Sequence, residues 1–593
     1  MSAEAWTEAS FGDLVREYLV EVFRLDPLAA TAAGIHEHDD RWPETSESGR
    51  LAALEANDRW DEAFRSIDPA TLTFDEAIDR DRLLASLATH RYALVDARDE
   101  TWDPVRWIYL MGDGLFGLLA REFAPAAVRL GSVAGRLEGI PAIIEAARAA
   151  LGSIANRPVS RFHTERALLD LPGISALIDE VLALAASLEP GPGVEALQAR
   201  TRASALMART ALRTFEHHLR DTVLDRSEGE GRLGLERYAA KLAHAHGDPD
   251  MTVDHVLAAA ERQFVSVRAE MARCAAMLWP SVCIDQPMPD DPDVLTRIML
   301  DRVGEDHSGP DELLQVARDA LVRIEAFCRD RNVIGLADEP LLIEWTPLFL
   351  RGWAQAMLTS PGPFDVGQKA YFHITPVPAE WSDALRDSYL REMNRHQLEV
   401  LTIHEAVPGH YLQGVYGNRA ASPIRAVLGD GAYAEGWAVY VTQVMIDAGY
   451  GADDPSLALA HWKYYLRAVT NAIIDIRIHT AGMTEAEALD LMIRGGFQEE
   501  AEARAKYSRA RLTSTQLSTY FVGSLGFWEL EHEVRRRAAT ASGDPRGADA
   551  VAPPAVIGGY PPTPGFNYRA HLEALISHGA LPLPLLRRAI LRD

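Results

Sequence analysis

Apolar residues recur every three or four positions along most of this chain, which is the spacing of one helix face. The first such face consists of Phe11, Leu14, Val15, Tyr18, Leu19, Val22 and Phe23. Pro27 limits that helix, because proline cannot continue the helical hydrogen-bond ladder. Similar segments rich in Ala and Leu predict further helices at residues 50–66, 76–97, 128–153, 164–188, 194–222, 252–279 and 311–330. No fixed period relates these segments, so the pattern predicts a mainly α fold and not a repeat solenoid.

Strand signals are few along the sequence. The best ones lie at residues 340–350 and 369–376, and each is bounded by proline or glycine. They predict a small β-sheet near the active site. Runs rich in proline, glycine or acidic residues at positions 189–193, 227–231 and 285–293 predict loops between helices.

The length of 593 residues allows several domains, or one large helical body built in two lobes. We expect the second arrangement. The helical packing is predicted to change near residue 335, between an N-terminal helical lobe at 1–335 and a catalytic lobe with C-terminal helices at 336–593.

The charge balance restricts the class of partner. The chain has 59 Lys and Arg against 86 Asp and Glu, a formal net charge of −27. So acidic a surface repels phosphate backbones and anionic lipid, which argues against a nucleic-acid partner and against a membrane-surface partner. No apolar run reaches the roughly 18 residues that a membrane span needs.

The cysteines and the N-terminus indicate the compartment. Cys274, Cys283 and Cys328 are the only cysteines, too few for a disulfide framework and without the spacing of a CxxC site. The first residues contain neither a basic segment nor an apolar segment of a secretion signal. A reduced, cytoplasmic location is the simplest expectation.

The segment LTIHEAVPGHY contains His404, Glu405 and His410, a pattern of metal-binding imidazoles with an adjacent carboxylate. In an ordinary zinc-binding helix the two histidines are four positions apart and share a face. Here they are six apart, so on an unbroken helix they would point about 240° apart around the axis. Pro408 and Gly409 lie between them, and we expect a bulge there that returns His410 to the face of His404.

Glu435 is the only charged residue in the apolar run GAYAEGWAVYVTQVM. A buried carboxylate needs a partner, and a metal ion is a good one. Glu435 follows His410 by 25 positions, which leaves room for a helix that ends near Asn418, a turn, and a returning helix. A pairing with an arginine or tyrosine of the core is the alternative for this residue.

Two downstream segments contain further candidates. In AIIDIRIHTA, which fits a helix or a strand, His479 is a candidate for stabilising an oxyanion and Asp475 for orienting a ligand histidine. In QLSTYFVG, Tyr520 is a candidate hydrogen-bond donor to a tetrahedral intermediate. A purely structural role remains the alternative for His479 and Tyr520.

These motifs resemble the bacterial DUF885 family over most of the chain. The family signature H-E-A-x-P-G-H is matched by His404, Glu405, Ala406, Pro408, Gly409 and His410. The E-G-W element is matched at Glu435, Gly436 and Trp437, and the D-x-x-x-H element at Asp475 and His479. In the last element, Gln516, Tyr520 and Gly523 fit, but Ser514 and Thr515 replace the usual Pro-Gly.

The resemblance implies a mostly helical body with a deep cleft and a zinc-dependent peptidase similar to the gluzincins. On this hypothesis His404, His410 and Glu435 bind one Zn²⁺ and leave a position open for water. Glu405 acts as the base, and Tyr520 or His479 donates to the oxyanion.

Short flexible peptides are the expected substrates. Arg477, Arg509 and Arg511 are alternatives for binding a substrate carboxylate, because a guanidinium matches its geometry. The predicted strand at 369–376, which contains His373 as a candidate substrate contact, could pair with an extended peptide by edge addition.

Three other interpretations stay open at this point. Two histidines and one carboxylate also form the facial triad of non-haem iron oxygenases, although that triad has no need of a glutamate directly after its first histidine. The hydrolysed bond could belong to a specialised amide, such as a modified amino acid. A helical scaffold protein with a structural metal, or with none, would have no use for Glu405.

Overall fold

The structure is a computed structural model, and it describes residues 10–154, 157–248, 250–347, 351, 355–543, 549, 551–552, 554–560 and 562–592. Helices dominate these residues, and a single small sheet accompanies them in the described part of the chain. The prediction of a mainly α fold is therefore confirmed. Among the described residues, no helix combines the length and the apolar character needed to cross a bilayer.

The contacts divide the chain into two compact units. The first unit runs to Arg232 and also includes Pro361–Gln368. Its helices are α1 (Phe11–Leu25), α2 (Pro27–Ala33), α3 (Glu47–Ser66), α4 (Phe74–Tyr92), α5 (Val105–Leu119), α6 (Ala126–Ala150), α7 (Arg161–Ser187) and α8 (Val194–His218).

Local sequence explains the helix ends in this unit. Ser10 precedes α1 and accepts a hydrogen bond from the backbone N–H of Asp13, while Pro27 begins α2 instead of interrupting a helix. The segments predicted from the apolar spacing all contain helices, and the run at 189–193 forms the connection between α7 and α8. Helices α2 and α5 were not predicted.

The second unit comprises Leu233–Ser360 and Lys369–Asp593. Its first helices are α9 (Leu235–His246), α10 (Val253–Val282), α11 (Pro292–Gly304) and α12 (Leu313–Arg331). Its strands are β1 (Leu341–Trp345), β2 (Ala356–Thr359) and β3 (Ala370–Ile374). Its remaining helices are α13 (Asp383–Glu392), α14 (Arg395–Glu405), α15 (His410–Asn418), α16 (Pro423–Val427), α17 (Gly431–Asp447), α18 (Pro455–Thr480), α19 (Glu485–Asp490), α20 (Glu500–Thr513), α21 (Thr519–Ala541), α22 (Tyr568–Ser577) and α23 (Leu583–Leu591).

The first unit ends at Arg232, whereas the sequence placed the change of lobe near residue 335. The reason lies in the packing of α10 against α18, which joins residues such as Leu278 and Met271 to Val469 and Ile473 in one buried apolar cluster. Helices α9 to α12 therefore belong to the same compact unit as the histidine motif.

The sheet has the strand order β1–β3–β2, with β1 parallel and β2 antiparallel to β3. Ile343 of β1 and Leu358 of β2 both lie opposite Phe372 of β3. Both predicted strands are present, although residues 348–350 of the first lie outside the described part of the chain. Strand β2 was not predicted from the sequence.

One prediction about this sheet is wrong. The strand predicted at 369–376 is β3, and its two edges are occupied by β1 and β2. It has no free backbone edge that could pair with a peptide. The edge strand next to the histidine motif is β2, which contacts α14.

The cysteines agree with the expected absence of disulfides. Cys274, Cys283 and Cys328 are free and buried. The cytoplasmic location stays a prediction.

Candidate metal centre

His404, His410 and Glu435 converge on one point of the second unit. The Oε2 atom of Glu435 lies 3.4 Å from Nε2 of His410 and 3.9 Å from Nε2 of His404. The imidazole rings of the two histidines stand edge to face, with centroids 4.8 Å apart. All three candidate ligand atoms lie within 4.8 Å of one another. The sequence thus predicted a set of residues that the fold brings together.

A break between two helices, and not a bulge within one, brings the histidines together. Helix α14 ends at Glu405 and α15 begins at His410. The peptide bond between Val407 and Pro408 is cis. The expected bulge is wrong in form, because α14 already ends before Pro408, which has no N–H to donate to the carbonyl of His404, and α15 begins directly after Gly409.

Gly409 is required by the close approach of two backbone segments. A Cβ atom on Gly409 would lie 1.8 Å from the carbonyl oxygen of His404, far inside contact distance. The backbone N–H of Gly409 donates to the carbonyl of Ile403 at 3.0 Å, and the indole N–H of Trp437 donates to the carbonyl of Pro408 at 2.9 Å. Trp437 thus attaches the break to α17, the helix of Glu435.

Burial and charge give the three candidate ligands different proton affinities. Burial lowers the pKa of His404 to about 3, and the nearby charge of His410 acts in the same direction. Burial opposes the charged form of His410 too, but the hydrogen bond and the negative charge of Glu435 raise its pKa to about 9. Burial alone would raise the pKa of Glu435, but the hydrogen bond from His410, the charges of the two histidines and the hydrogen bond from Tyr520 together outweigh it, so the pKa is below its usual value.

Glu405 is buried beside this cluster. Burial raises the pKa of its carboxyl to about 7; the charge of His410 opposes the rise, and a hydrogen bond from the backbone N–H of Leu358 in β2 also stabilises the carboxylate. A carboxyl group with a pKa near 7 can both accept and release a proton at neutral pH.

Gln413 orients His410 and was missed by the sequence analysis. Its side-chain NH₂ donates to the carbonyl of Tyr433 at 3.2 Å, so its Oε1 is available as an acceptor for Nδ1 of His410 at 3.4 Å. This contact favours the proton on Nδ1 and leaves the lone pair of Nε2 directed at the cluster. Its position three residues after His410 could have identified it from the sequence, because residues three apart on a helix are neighbours.

Tyr520 reaches the cluster from the first turn of α21. Its hydroxyl hydrogen-bonds Glu435, which stabilises the charged form of that carboxylate. Burial raises the pKa of Tyr520 to about 12, so the phenol stays protonated at neutral pH. Arg509 lies next to it, with Nη2 at 3.4 Å from the Tyr520 hydroxyl and 2.9 Å from Oε1 of Gln516.

Asp475 has a different role from the predicted one. It is fully buried on α18 and accepts hydrogen bonds from the backbone N–H groups of Thr515 at 3.2 Å and Ser518 at 3.1 Å. It therefore fixes the turn before Tyr520 and does not orient a ligand histidine. Ser514 and Thr515, which stand where the resemblance expects Pro-Gly, both have positive φ angles, 23° and 68°.

His479 is not placed to stabilise an oxyanion. Its Nδ1 accepts from the backbone N–H of Leu233 at 3.3 Å, and its Nε2 donates to the carbonyl of Ala510 at 2.8 Å. Its ring also stacks on Tyr238, with centroids 5.5 Å apart. Both nitrogens are thus used inside the core, and the predicted catalytic role for His479 is wrong.

The structure distinguishes among the three candidate arginines. Arg477 forms a surface ion pair of 2.6 Å with Glu261, and the guanidinium of Arg511 lies over the ring of Tyr507 at 5.6 Å. Arg509 is the one that contacts a residue of the cluster, Tyr520.

His373 is buried in the middle strand of the sheet. It lies opposite Glu344 and Met357 of the neighbouring strands and stacks on Tyr371. Burial lowers its pKa. Substrate contact by His373 stays a prediction.

Two residues of α18 complete the surroundings of the cluster and were missed. The ring of Tyr464 packs edge to face against His404, with centroids 5.4 Å apart, and the guanidinium of Arg467 lies 5.7 Å from the ring of Tyr464. Arg467 could have been found from the sequence, because it is a charged residue within an apolar stretch of helix, as Glu435 is.

The ligand set fits a zinc ion. Zinc bonds of 2.0–2.1 Å in a tetrahedral arrangement place ligand atoms about 3.3 Å apart. The separations of 3.4 Å and 3.9 Å between Glu435 and the two histidines need only small side-chain adjustments. Three protein ligands leave one position for water or substrate, which is the pattern of catalytic zinc sites.

Comparison with known proteins gives a family and a fold. The profile of DUF885, described as a bacterial protein of unknown function, matches residues 27–590. A "putative lipoprotein of unknown function" from Shewanella oneidensis has a similar structure, with a TM-score of 0.81 at 29% identity over 98% of this chain and 100% of that chain. A "putative lipoprotein" from Colwellia psychrerythraea, 15% identical, shares the fold with a TM-score of 0.77 over 98% of this chain and 99% of its own. No curated protein matches the chain.

Proposed function

We propose that this chain, which belongs to the bacterial DUF885 family, is a zinc-dependent hydrolase that cleaves amide bonds of short peptides. The observation that carries the proposal is the position of Glu405. This carboxyl group adjoins the ligand His404, is buried, and has a pKa of about 7. A purely structural metal site has no use for such a base.

His404, His410 and Glu435 would hold the metal through two imidazole nitrogens and one carboxylate oxygen. Zinc bound by such ligands supplies Lewis acidity that lowers the pKa of water from 15.7 towards about 7. The carboxylate of Glu405 accepts the proton of the attacking water and later delivers it to the nitrogen of the leaving amine.

Tyr520 would stabilise the negative charge that develops on the carbonyl oxygen. Its pKa of about 12 keeps the phenol protonated, and its contact with Glu435 holds the hydroxyl at the cluster. The one proton of this hydroxyl is donated to Glu435 before the substrate binds, and it turns to the carbonyl oxygen as charge develops there. One such donor typically contributes about 10²–10³ in rate.

Strand β2 offers a place for the peptide backbone. It is one of the two edge strands of the described sheet, and the N–H of its residue Leu358 donates to Glu405. An extended substrate could add to this edge by main-chain hydrogen bonds. This position replaces the one that the sequence assigned to residues 369–376.

The proposal is tested with a mixed oligopeptide library, read by mass spectrometry, on wild type, Glu405→Gln and Glu399→Gln. Glu399 lies on the same helix and pairs with Arg323, so it serves as a matched control. We expect cleavage by wild type and by Glu399→Gln, and none by Glu405→Gln although its zinc stays bound. Full activity of Glu405→Gln would refute the proposed mechanism.

The identity of the metal bound to the same purified proteins distinguishes among the alternative functions. Iron in place of zinc would favour an oxygenase with the same three ligands. Bound zinc without cleavage of any peptide would favour a specialised amide as the substrate. A chain that binds no metal after zinc is supplied would leave only the scaffold interpretation.

A further inference from the structure

A group of cations lies beside the candidate site, and it contains more positive than negative charge. Arg467 pairs with Glu502 at 2.6 Å and with Glu392 at 3.4 Å. Lys463 also pairs with Glu392, at 2.6 Å, and Lys506 with Glu502, at 3.1 Å. Three cations thus share two carboxylates.

Arg509 adds a fourth cation to this group. Its positive charge acts on both Lys506 and Tyr520. Its side chain donates to two neutral oxygens, those of Gln516 and Tyr520. Among the described residues, no carboxylate lies within the 4.0 Å of an ion pair with Arg509. A guanidinium has five N–H donors, so most of its capacity is available to a ligand.

The contrast with other arginines of the second unit supports this interpretation. Arg504, on the same helix α20, pairs with Glu500 at 2.7 Å and with Glu485 at 3.1 Å. Arg477 pairs with Glu261. Arg297 and Arg391 also lack a carboxylate within the described part of the chain, but their guanidinium groups donate to backbone carbonyls away from the cluster. Arg509 is half-buried and donates there only to side-chain oxygens, one of which belongs to Tyr520 at the cluster, so an anionic ligand can bind to its remaining N–H groups.

The position of Arg509 limits where that anion can lie. Its Nη2 is 3.4 Å from the hydroxyl of Tyr520, and Tyr520 in turn hydrogen-bonds Glu435. One residue of extended chain spans about 3.3–3.6 Å. A carboxylate bound by Arg509 and a carbonyl oxygen bound by Tyr520 would thus contact donors that are 3.4 Å apart, a separation that one residue of chain can span.

We propose that Arg509 binds the terminal α-carboxylate of the residue that follows the cleaved bond, so that the enzyme removes single amino acids from the C-terminal end of short peptides. This inference rests on the proposed hydrolase function and adds its substrate class. In the reaction one water adds across the last peptide bond. The C–N bond breaks, a C–O bond forms, and the proton that Glu405 takes from water moves to the amine of the released amino acid.

The experiment compares one degenerate tetrapeptide library in two forms, with a free C-terminal acid and with a C-terminal amide. Wild type is expected to release C-terminal amino acids from the free acids about 10- to 100-fold faster than it cleaves the amides, the usual value of a charged hydrogen-bonded pair. Arg509→Gln is expected to lose this preference. Arg504→Gln, the matched control on α20, is expected to keep it. Equal cleavage of both libraries by wild type, or release from the N-terminal end, would overturn the inference and leave the hydrolase function intact.

A binding measurement separates failure of the inference from failure of the hydrolase proposal. Zinc-loaded Glu405→Gln is heated with each library, and the shift of its melting temperature is recorded. The carboxylate site is supported if only the free acids raise the melting temperature and if the double variant Glu405→Gln/Arg509→Gln shows no such rise. This result would support the site even if no peptide is cleaved. Equal stabilisation by both libraries, or none by either, overturns it.

Discussion

The backbone of Gly436 lies directly against the backbone of Gly523. A Cβ atom on Gly436 would be 2.3 Å from the Cα of Gly523, and one on Gly523 would be 2.0 Å from the carbonyl oxygen of Ala432. Gly436 follows the candidate ligand Glu435 on α17, and Gly523 comes three residues after Tyr520 on α21. The absence of two side chains thus lets the carboxylate and the phenol meet.

Gly436→Ala should therefore destabilise the protein and separate Glu435 from Tyr520. Overpacking of this kind typically costs about 1–3 kcal/mol, which urea unfolding would measure. Gly431→Ala is the matched control on the same helix, because its Cβ would lie at an ordinary 3.7 Å from Thr519. Equal stability of the two variants would show that the close approach of α17 and α21 is not required.

The orienting contact of Gln413 leads to a prediction about metal affinity. Gln413→Leu removes the acceptor at Nδ1 of His410 and should weaken zinc binding about 10- to 100-fold, as is usual for lost partners of ligand histidines. Competition with a chromophoric chelator measures this change. Gln413→Glu keeps an acceptor for His410 and should weaken binding less. Similar affinity of Gln413→Leu and wild type would contradict the assigned orientation.

Tyr520→Phe isolates the hydroxyl group of that residue. Loss of one oxyanion donor typically lowers kcat about 10²–10³-fold, and we expect this decrease with zinc still bound and with a smaller change of KM. Tyr416→Phe is the control, because that hydroxyl donates to the carbonyl of Gly335. Steady-state kinetics on a peptide that the wild type cleaves would measure both constants. An unchanged kcat for Tyr520→Phe would exclude Tyr520 as the oxyanion donor.

The helices and the three residues that converge at the candidate site could be predicted from the sequence because both leave local signals. The 3.6-residue period marks the helices, and a charge in an apolar run marks Glu435. Asp475 and His479 were assigned wrongly because their partners are distant in sequence. They share one face of α18 and bond to residues of the 510–518 segment, whereas Arg477 between them points to Glu261 at the surface.

The short strand β2 shows a second limit of prediction from the sequence. Its four residues are too few to produce an alternating pattern, and it becomes a strand by pairing with β3. The turn before Tyr520 is similar, since it is held by Asp475 through hydrogen bonds to Thr515 and Ser518 that no local pattern encodes.

A buried histidine outside the site predicts how stability depends on pH. His246 is 3% exposed, neither of its ring nitrogens has a hydrogen-bond partner among the described residues, and burial lowers its pKa to about 4. The unfolded chain binds this proton below a pKa of about 6.5 and the folded chain only near 4, so stability is lost as pH falls through that interval.

Between pH 7 and pH 5 this single group should lower the free energy of unfolding by about 2 kcal/mol. His246→Leu should remove that part of the pH dependence, as measured by urea unfolding at the two pH values. His255→Leu, at an exposed position of α10, is the control. An unchanged pH dependence in His246→Leu would contradict the assignment.

The central claim, that His404, His410 and Glu435 hold one zinc ion, is tested most directly by calorimetric titration of the metal-free protein with zinc. Wild type should bind one zinc per chain. In buffers of different ionisation enthalpy, it should release about one proton at pH 7, because the pKa of about 9 leaves His410 protonated before the metal binds. Glu435→Gln should lose most of the affinity, whereas His396→Gln, on the same helix as His404 but paired with Asp454, should keep it. Zinc binding of equal strength and stoichiometry in wild type and Glu435→Gln would contradict the account.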